Sequence, residues 1–259
     1  MARKDTSPDA TCAFSGITNF GDLPEQIRSE LRTICLPRMY KAGATVAAIG
    51  THPAFIGVVK DGILRMQKSL PDGRQHVVGL LVNGDMFGRV FDGNMHFSVE
   101  AATDAVVFQI RRRPLEDLLM RSPELERLLL LNMMGELDRA RDWMIILAQP
   151  KVRSRLAGFL FLLCTRFRAL NHLVSVGHEV VRVTIPLSRI DLANLLGTRV
   201  ESISRGFHAL ADDGLIDIIK PDLIEIRRWD DLAEEVGDSE LSDPAFLDQM
   251  AQPTNTLLG

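Results

Sequence analysis

The stretch Ser188–Ile216, SRIDLANLLGTRVESISRGFHALADDGLI, decides how this chain is read. Its first part places Ile190, Leu192, Ala193, Leu195 and Leu196 on the apolar stripe of a short helix, with Ser188 as N-cap and Gly197 permitting a left-handed stop. Thr198 is then expected to cap a second helix, along which Val200, Ile203, Phe207 and Leu210 recur at helical spacing. The other side of that helix carries Arg199, Glu201, Ser202, Ser204, Arg205 and His208, all side chains that can hydrogen-bond a base or a phosphate. Two amphipathic helices joined at a glycine make a helix-turn-helix. An αα-hairpin with a merely solvated outer face has the same local pattern, so the flanking residues must discriminate.

They do so on both sides. Downstream, Leu215-Ile216 and Asp217-Ile218-Ile219 lead into a Lys220-Pro221-Asp222 turn and then Leu223-Ile224-Glu225-Ile226. Short β-branched runs about a proline turn predict a hairpin, the wing of a winged helix. Upstream, Val180 to Ile185 supplies a third strand.

The formal net charge of −4 argues against nucleic-acid binding only until it is divided along the chain. Residues 148–228 hold 12 Lys or Arg against 8 Asp or Glu, residues 229–259 hold 8 acidic groups and no basic one, and residues 1–147 balance at 18 against 18. The winged-helix block is therefore positive, as neutralising phosphates requires, and the acidity belongs to a tail read as a solvated, partly disordered extension. The longest apolar runs, Leu128–Leu131 and Phe159–Cys164, fall far short of the ~18 residues a membrane span needs. Residues 1–19 are polar and read as a flexible segment without a signal-peptide core, so a cytoplasmic location with no membrane association is expected. Cys12, Cys35 and Cys164 lie far apart and form no C-x-x-C pair, which argues against a disulfide framework or a thiolate cluster; Cys164, inside an apolar run, reads as a buried core thiol.

From about residue 39 to 110 the texture is short alternating or β-branched runs punctuated by Gly, Pro and Asp: Thr45–Ile49, Phe55–Val59, Gly62–Lys68, Gln75–Leu81 and Ala105–Ile110. This spacing predicts an antiparallel roll, with Leu70-Pro71-Asp72-Gly73 as a hairpin turn and Gly79–Gly88, GLLVNGDMFG, as a loop that brings backbone close to a neighbour. After Pro114 helix takes over. Leu130, Met133, Leu137, Ala140, Met144 and Leu147 step by 3, 4, 3, 4 and 3, an a/d seam, while Leu128, Leu129, Ile145 and Ile146 form a second apolar face. One face can cover the roll and the other can meet a second copy. The architecture expected is α+β: flexible residues 1–19, an N-terminal antiparallel β-roll over 20–114, a dimerisation helix over 115–148, a winged helix-turn-helix over 149–228 and an acidic tail over 229–259.

Roll, seam helix and C-terminal winged helix in that order resemble the CRP/FNR superfamily of bacterial transcription regulators over roughly residues 20–228. The segments that carry the resemblance are Leu70–Arg74, Gly84–Gly88, Gly135-Glu136-Leu137 through Met144, and Leu196–Arg205. The FNR and FixK branch is the nearer one, because its recognition-helix pattern E-x-x-S-R falls here on Glu201, Ser204 and Arg205, which share a helix face. The resemblance implies a homodimeric, sequence-specific regulator, an activator in type, that reads a TTGAT-like inverted repeat in promoter DNA and contacts RNA polymerase. The carboxylate suits cytosine N4, the arginine guanine O6 and N7, and the serine an A·T pair. Val200 belongs to the same reading surface but stands where the CRP branch has a further base-reading arginine, so a TGTGA half-site is not expected. Ser188, Arg189, Arg199 and Lys220 are the expected phosphate contacts, which set register rather than sequence.

The signal is less legible. Oxygen-sensing relatives hold an iron–sulfur cluster through several clustered N-terminal cysteines, and here Cys12 stands alone; cyclic-AMP relatives use an Arg-Ser pair where this chain has Gly93–Ser98, GNMHFS. Neither cofactor is expected. His52, His76, His96 and Met95 are available as axial ligands should haem or another small ligand occupy the roll, the effector-gated alternative. No catalytic or metal site is expected: the histidines at 52, 76, 96, 172, 178 and 208 include no H-x-H or H-x-x-x-H pair, which opposes a cupin-like metalloenzyme. The missing Arg-Ser pair likewise opposes a DNA-free nucleotide-binding module.

Overall fold

The computed structural model describes residues 20–69, 75–166, 173–176 and 180–236. The chain divides into two compact units, Met1–Arg141 and Asp142–Gly259. The expected N-terminal flexible segment with Cys12, the Leu70–Gly73 turn, His172, His178 and the tail beyond Val236 lie outside the described residues.

After a 3-10 turn at Phe20–Asp22, the first unit runs through helix α1 (Glu25–Ile34) and strands β1 (Cys35–Tyr40), β2 (Thr45–Ala47), β3 (Phe55–Asp61), β4 (Leu64–Ser69), β5 (Gln75–Leu81), β6 (Met86–Phe87), β7 (Ser98–Ala101) and β8 (Ala105–Arg111). Helix α2 (Arg112–Leu119) follows, and then α3 (Pro123–Ala148). The strands form two antiparallel four-stranded sheets, ordered β1-β8-β3-β6 and β2-β7-β4-β5. Strand alternation supplies the interior: Val46, Val59, Leu64, Leu81, Phe87, Val99 and Val107 face one another between the sheets. The opposite face of β3 and β8, through Ile56, Val58, Phe108 and Ile110, packs against Leu31 and Ile34 of α1, Leu115 and Leu118 of α2, and Leu125 and Leu128 of α3.

All five runs expected to be strands are strands; β1, β6, β7 and helix α1 were not anticipated. Strands β6 and β7 are only two and four residues long, too short for an alternation signal. β1 alternates little because its middle residues are exposed at a sheet edge. The glycine loop approaches its own sheet: Gly84 N–H donates to the Val59 carbonyl (2.9 Å), and Val59 N–H donates to the Asp85 carbonyl (2.9 Å). The buried Asp85 carboxylate also accepts the Val82 N–H (2.8 Å) and pairs with Arg139 of α3 (3.1 Å), tying this loop to the long helix.

The segment 115–148 holds a break at Met120–Ser122. Ser122 Oγ accepts the Leu125 N–H (3.3 Å) and Pro123 opens the new helix, where its missing N–H is no loss.

The second unit comprises the last turns of α3, helix α4 (Val152–Arg166), strands β9 (Val174–Val176) and β10 (Val181–Thr184), helices α5 (Arg189–Leu195) and α6 (Val200–Asp212), strands β11 (Ile216–Lys220) and β12 (Leu223–Ile226), and helix α7 (Trp229–Val236). Its sheet is ordered β11-β12-β10-β9, so the expected wing hairpin is β11–β12 and the upstream strand pairs with its second arm. Leu156, Phe159, Leu160, Leu192, Ile203, Phe207 and Leu210 are fully buried. Trp143 and Ile146 of α3 are buried in this unit, with Trp143 against Phe159 (ring centroids 6.3 Å).

Two expectations are corrected here. The acidic tail does not begin at 229: Trp229, Leu232, Ala233 and Val236 step at i, i+3, i+4 and i+7, and α7 buries the last three while Trp229 packs tilted by 45° against Phe161, ring centroids 4.1 Å apart. The density of carboxylates hid that stripe. Ile190, placed on the buried stripe of the first helix of the motif, is 64% exposed, whereas Leu192, Ala193, Leu195 and Leu196 are buried. Among the described residues no helix is long and apolar enough to cross a membrane.

Candidate nucleic-acid interface

Helix α5 starts as the sequence implies. Ser188 Oγ accepts the Asp191 N–H (3.0 Å) and donates its proton to Asp191 Oδ2 (2.7 Å). The helix ends in a left-handed Gly197 (φ 61°), with Thr198 N–H donating to the Ala193 carbonyl at 2.9 Å, the six-to-one bond of a Schellman stop. Thr198 therefore closes the first helix instead of capping the second. The N-cap of α6 is Arg199, with extended backbone (φ −97°) and no side-chain cap, its carbonyl accepting from Ser202 and Ile203.

Helix α6 is held by its inner face. Ile203, Phe207 and Leu210 are buried, and Gly206 lies so near α4 that a Cβ there would sit 2.5 Å from Leu156 Cδ1. The outer face presents Glu201, Ser204, Arg205 and His208 to solvent, with Val200 half-buried at its start. Within the described residues, none of these polar side chains is held in a hydrogen bond or ion pair. Glu201, Ser204 and Arg205 therefore stand exposed on one face, an acceptor, a hydroxyl and a guanidinium without a partner among the described residues.

The four expected phosphate contacts divide. Arg199 at the head of α6 and Lys220 at the wing tip are exposed. Ser188 is engaged as the α5 cap. Arg189 is turned inward: its guanidinium carbon lies 4.1 Å from the Phe207 ring centroid, and Nη2 donates to the Pro221 carbonyl (2.5 Å). Partial burial lowers its pKa, opposed by the charge of Asp222. Arg189 thus links the wing turn to the recognition helix and, unlike Arg199 and Lys220, is half-buried, with its guanidinium engaged inside its own domain.

Sequence reasoning missed the polar side chains that fix this arrangement from below. Arg153 of α4 pairs with Asp213 and, at 2.9 Å, with Glu235, which also accepts from Ser154 Oγ (2.8 Å). Arg155 donates to the Leu196 carbonyl at 2.7 Å. Nothing local to Arg-Ser-Arg marks it, because every one of these partners is distant in sequence.

On α3 the expected seam residues Leu130, Met133, Leu137, Met144 and Leu147 are 41–69% exposed, and Ala140 is exposed with them. Leu128 and Ile146 of the second face are buried and Leu129 packs on the core, but Ile145 joins the exposed side at 45%. In the first unit, a cavity of about 420 Å³ lies between the roll and α3, lined by Met66, Met86, Phe87, Met95, His96 and Met133 among others. Of the four residues named as haem ligands, Met95 and His96 reach it; His52 is exposed with Nδ1 2.9 Å from the Gly93 carbonyl, and His76 lies on β5. Burial pushes the Cys35 thiol up to about 12 and raises that of Cys164 further. Among the described residues no cluster of three or more His, Cys, Asp or Glu is placed to hold a metal.

Residues 37–122 match the cyclic nucleotide-binding domain family, and residues 154–235 match the Crp-like helix-turn-helix domain family. The chain is 33% identical over 201 residues to the transcriptional activator protein FnrL of Cereibacter sphaeroides, covering 78% of this chain and 80% of that one. It is 34% identical over 180 residues to the nitrogen fixation regulation protein FixK of Bradyrhizobium diazoefficiens, covering 70% and 73%. Its fold is similar to that of FixK2 from Bradyrhizobium japonicum, with a TM-score of 0.68 and 24% identity over 78% of this chain and 96% of that one.

Proposed function

This chain belongs to the CRP/FNR superfamily, in its FNR and FixK branch, and is a DNA-binding transcription regulator rather than an enzyme; on that premise we propose that it is a homodimeric activator reading a TTGAT-like inverted repeat. The observation that carries the reading is the exposed face of α6, where Glu201, Ser204 and Arg205 stand together without partners among the described residues. In the major groove the carboxylate accepts from cytosine N4, the guanidinium forks onto guanine and the hydroxyl contacts an A·T pair. Arg199 and Lys220 meet phosphates on either side and set the register. The exposed α3 stripe supports the two-fold assembly that an inverted repeat requires, since an apolar face of this length is unstable in water and closes against its own copy. RNA polymerase is the partner implied by activation, and cytoplasmic location follows from it.

The reading includes no iron–sulfur cluster and no cyclic-AMP response. The sequence offers no clustered N-terminal cysteines to hold such a cluster, Cys12, Cys35 and Cys164 lying far apart along it. A second reading, in which DNA binding waits on a small effector, is favoured by the methionine-lined cavity against α3. A ligand there acts only through a difference in affinity between DNA-competent and incompetent states.

Fluorescence anisotropy of ligand-free protein on a TTGAT…ATCAA duplex and on a scrambled duplex, at one stated salt concentration, tests both. Selective tight binding by a colourless sample supports the first reading. Equal binding to the two duplexes without any added ligand counts against it, and a Soret band directs attention to haem in the cavity.

A further inference from the structure

We infer that Arg155 is a positioning residue for DNA reading: one guanidinium joins the end of the seam helix to the turn of the helix-turn-helix and fixes the angle at which α6 is presented. The inference rests on the two-fold reading above. Helix α3 ends at Ala148, and Gln149 N–H closes a tight last turn onto the Ile146 carbonyl (3.2 Å). The Gln149 carbonyl accepts from Arg155 Nε at 2.9 Å. From the other side of the same fork, Nη1 donates to the Leu196 carbonyl at 2.7 Å and reaches the Gly197 carbonyl at 3.5 Å.

Leu196 is the C-cap where α5 stops, so its carbonyl has no partner within the helix and lies at the negative end of its dipole; Gly197 follows in a left-handed conformation. The Schellman bond uses Ala193, leaving the Leu196 carbonyl to Arg155. A guanidinium is rigid and planar, and hydrogen bonds weaken steeply off their preferred geometry, so both carbonyls keep their partners at only one relative placement of hinge and turn. The neighbouring ties lead to α7 and the far end of α6: Arg153 and Ser154 hold Asp213 and Glu235, and the Gln149 side chain donates to the Val236 carbonyl at 2.9 Å, whereas Arg155 is the tie from Gln149 to the α5 turn. Trp143 and Ile146 seat the last turns of α3 in the same unit, giving the guanidinium a fixed base.

Two such units on a paired α3 seam must present their α6 helices at the separation and rotation of the two half-sites. One extra base pair between half-sites rotates one against the other by about a tenth of a turn. Stiffness at Arg155 makes the protein reject that change, and slack there lets it follow.

The test is anisotropy of the full-length chain, as wild type, Arg155→Ala and Arg155→Lys, on the inverted repeat and on repeats with the spacer one base pair longer or shorter, with the thermal midpoint of each protein. Wild type is expected to prefer the cognate spacing by about tenfold or more, the scale of one lost contact. In Arg155→Ala the cognate duplex weakens while the altered ones hardly change, so the ratio falls towards one. Arg155→Lys retains charge and helix propensity and folds, yet has the same flattened ratio, because an ammonium does not fork onto both carbonyls. A wild-type spacing ratio in either folded variant overturns the inference, even if affinity or melting temperature drops for every duplex alike. Wild type that fails to distinguish the repeat from scrambled DNA overturns the functional reading itself, a separate outcome.

Discussion

Arg189 and Arg205 sit on consecutive helices of one motif and have opposite uses. Arg205 is exposed and has no partner among the described residues, so Arg205→Ala is expected to cost about 1 to 3 kcal/mol of operator binding and to relax choice at a single base pair, measured on duplexes mutated position by position. Arg189 lies over Phe207 and bonds the Pro221 carbonyl. Arg189→Ala should therefore lower the melting midpoint, by about 1 to 3 kcal/mol of stability, while leaving base preference intact; a changed preference with an unchanged midpoint would return Arg189 to the interface. Lys220→Ala, by contrast, should weaken all duplexes alike and reduce the salt slope by about 0.9. At this scale the sequence was readable where the chemistry is local. Ser188 caps the residue three positions on, and Gly197 adopts the left-handed conformation. Thr198 was misread because a Thr before a helix also suits the close of the preceding one, while the contacts of Arg189 to Phe207 and Pro221 were not legible because they come from α6 and the wing.

Among the elements, α3 shows how one helix serves two faces. Its a/d spacing identified the stripe, and the structure leaves that stripe uncovered while Leu125, Leu128, Trp143 and Ile146 are buried on the other side. Leu137→Glu places a charge in the proposed seam and should convert a dimer to monomer at micromolar concentration in sedimentation velocity, with a loss of operator affinity; an unaltered sedimentation coefficient would put the interface elsewhere. The α4–α6 crossing depends on Gly206. Gly206→Ala forces a Cβ within 2.5 Å of Leu156 Cδ1, and overpacking of that kind costs about 1 to 3 kcal/mol in a core, readable as a lower urea midpoint. Helices α1 and α7 escaped notice although each has an apolar stripe, since both are short and crowded with charge, and the covering surfaces that stabilise them belong to other elements.

Across the molecule, charge and thiol chemistry are set by location rather than by totals. The net charge of −4 does not prevent DNA binding, because the acidic excess lies in residues 229–259 while the winged-helix block is positive. Cys164 is wholly enclosed, with burial holding its thiol protonated, and should resist iodoacetamide at pH 8 until the protein is unfolded; an adduct at Cys164 in the native state, found by peptide mass analysis, would mean that the C-terminal core opens. The sequence by itself determined the order of roll, long helix and winged helix and the polar outer face of α6, because periodicity, turn residues and the E-x-x-S-R spacing act over a few neighbouring positions. Only the tertiary structure decided which cations remain free, which apolar residues are covered, and that Arg155 bridges Gln149 and Leu196. Such outcomes depend on groups far apart in sequence being brought within hydrogen-bond or van der Waals range, and no local pattern encodes which of them will meet.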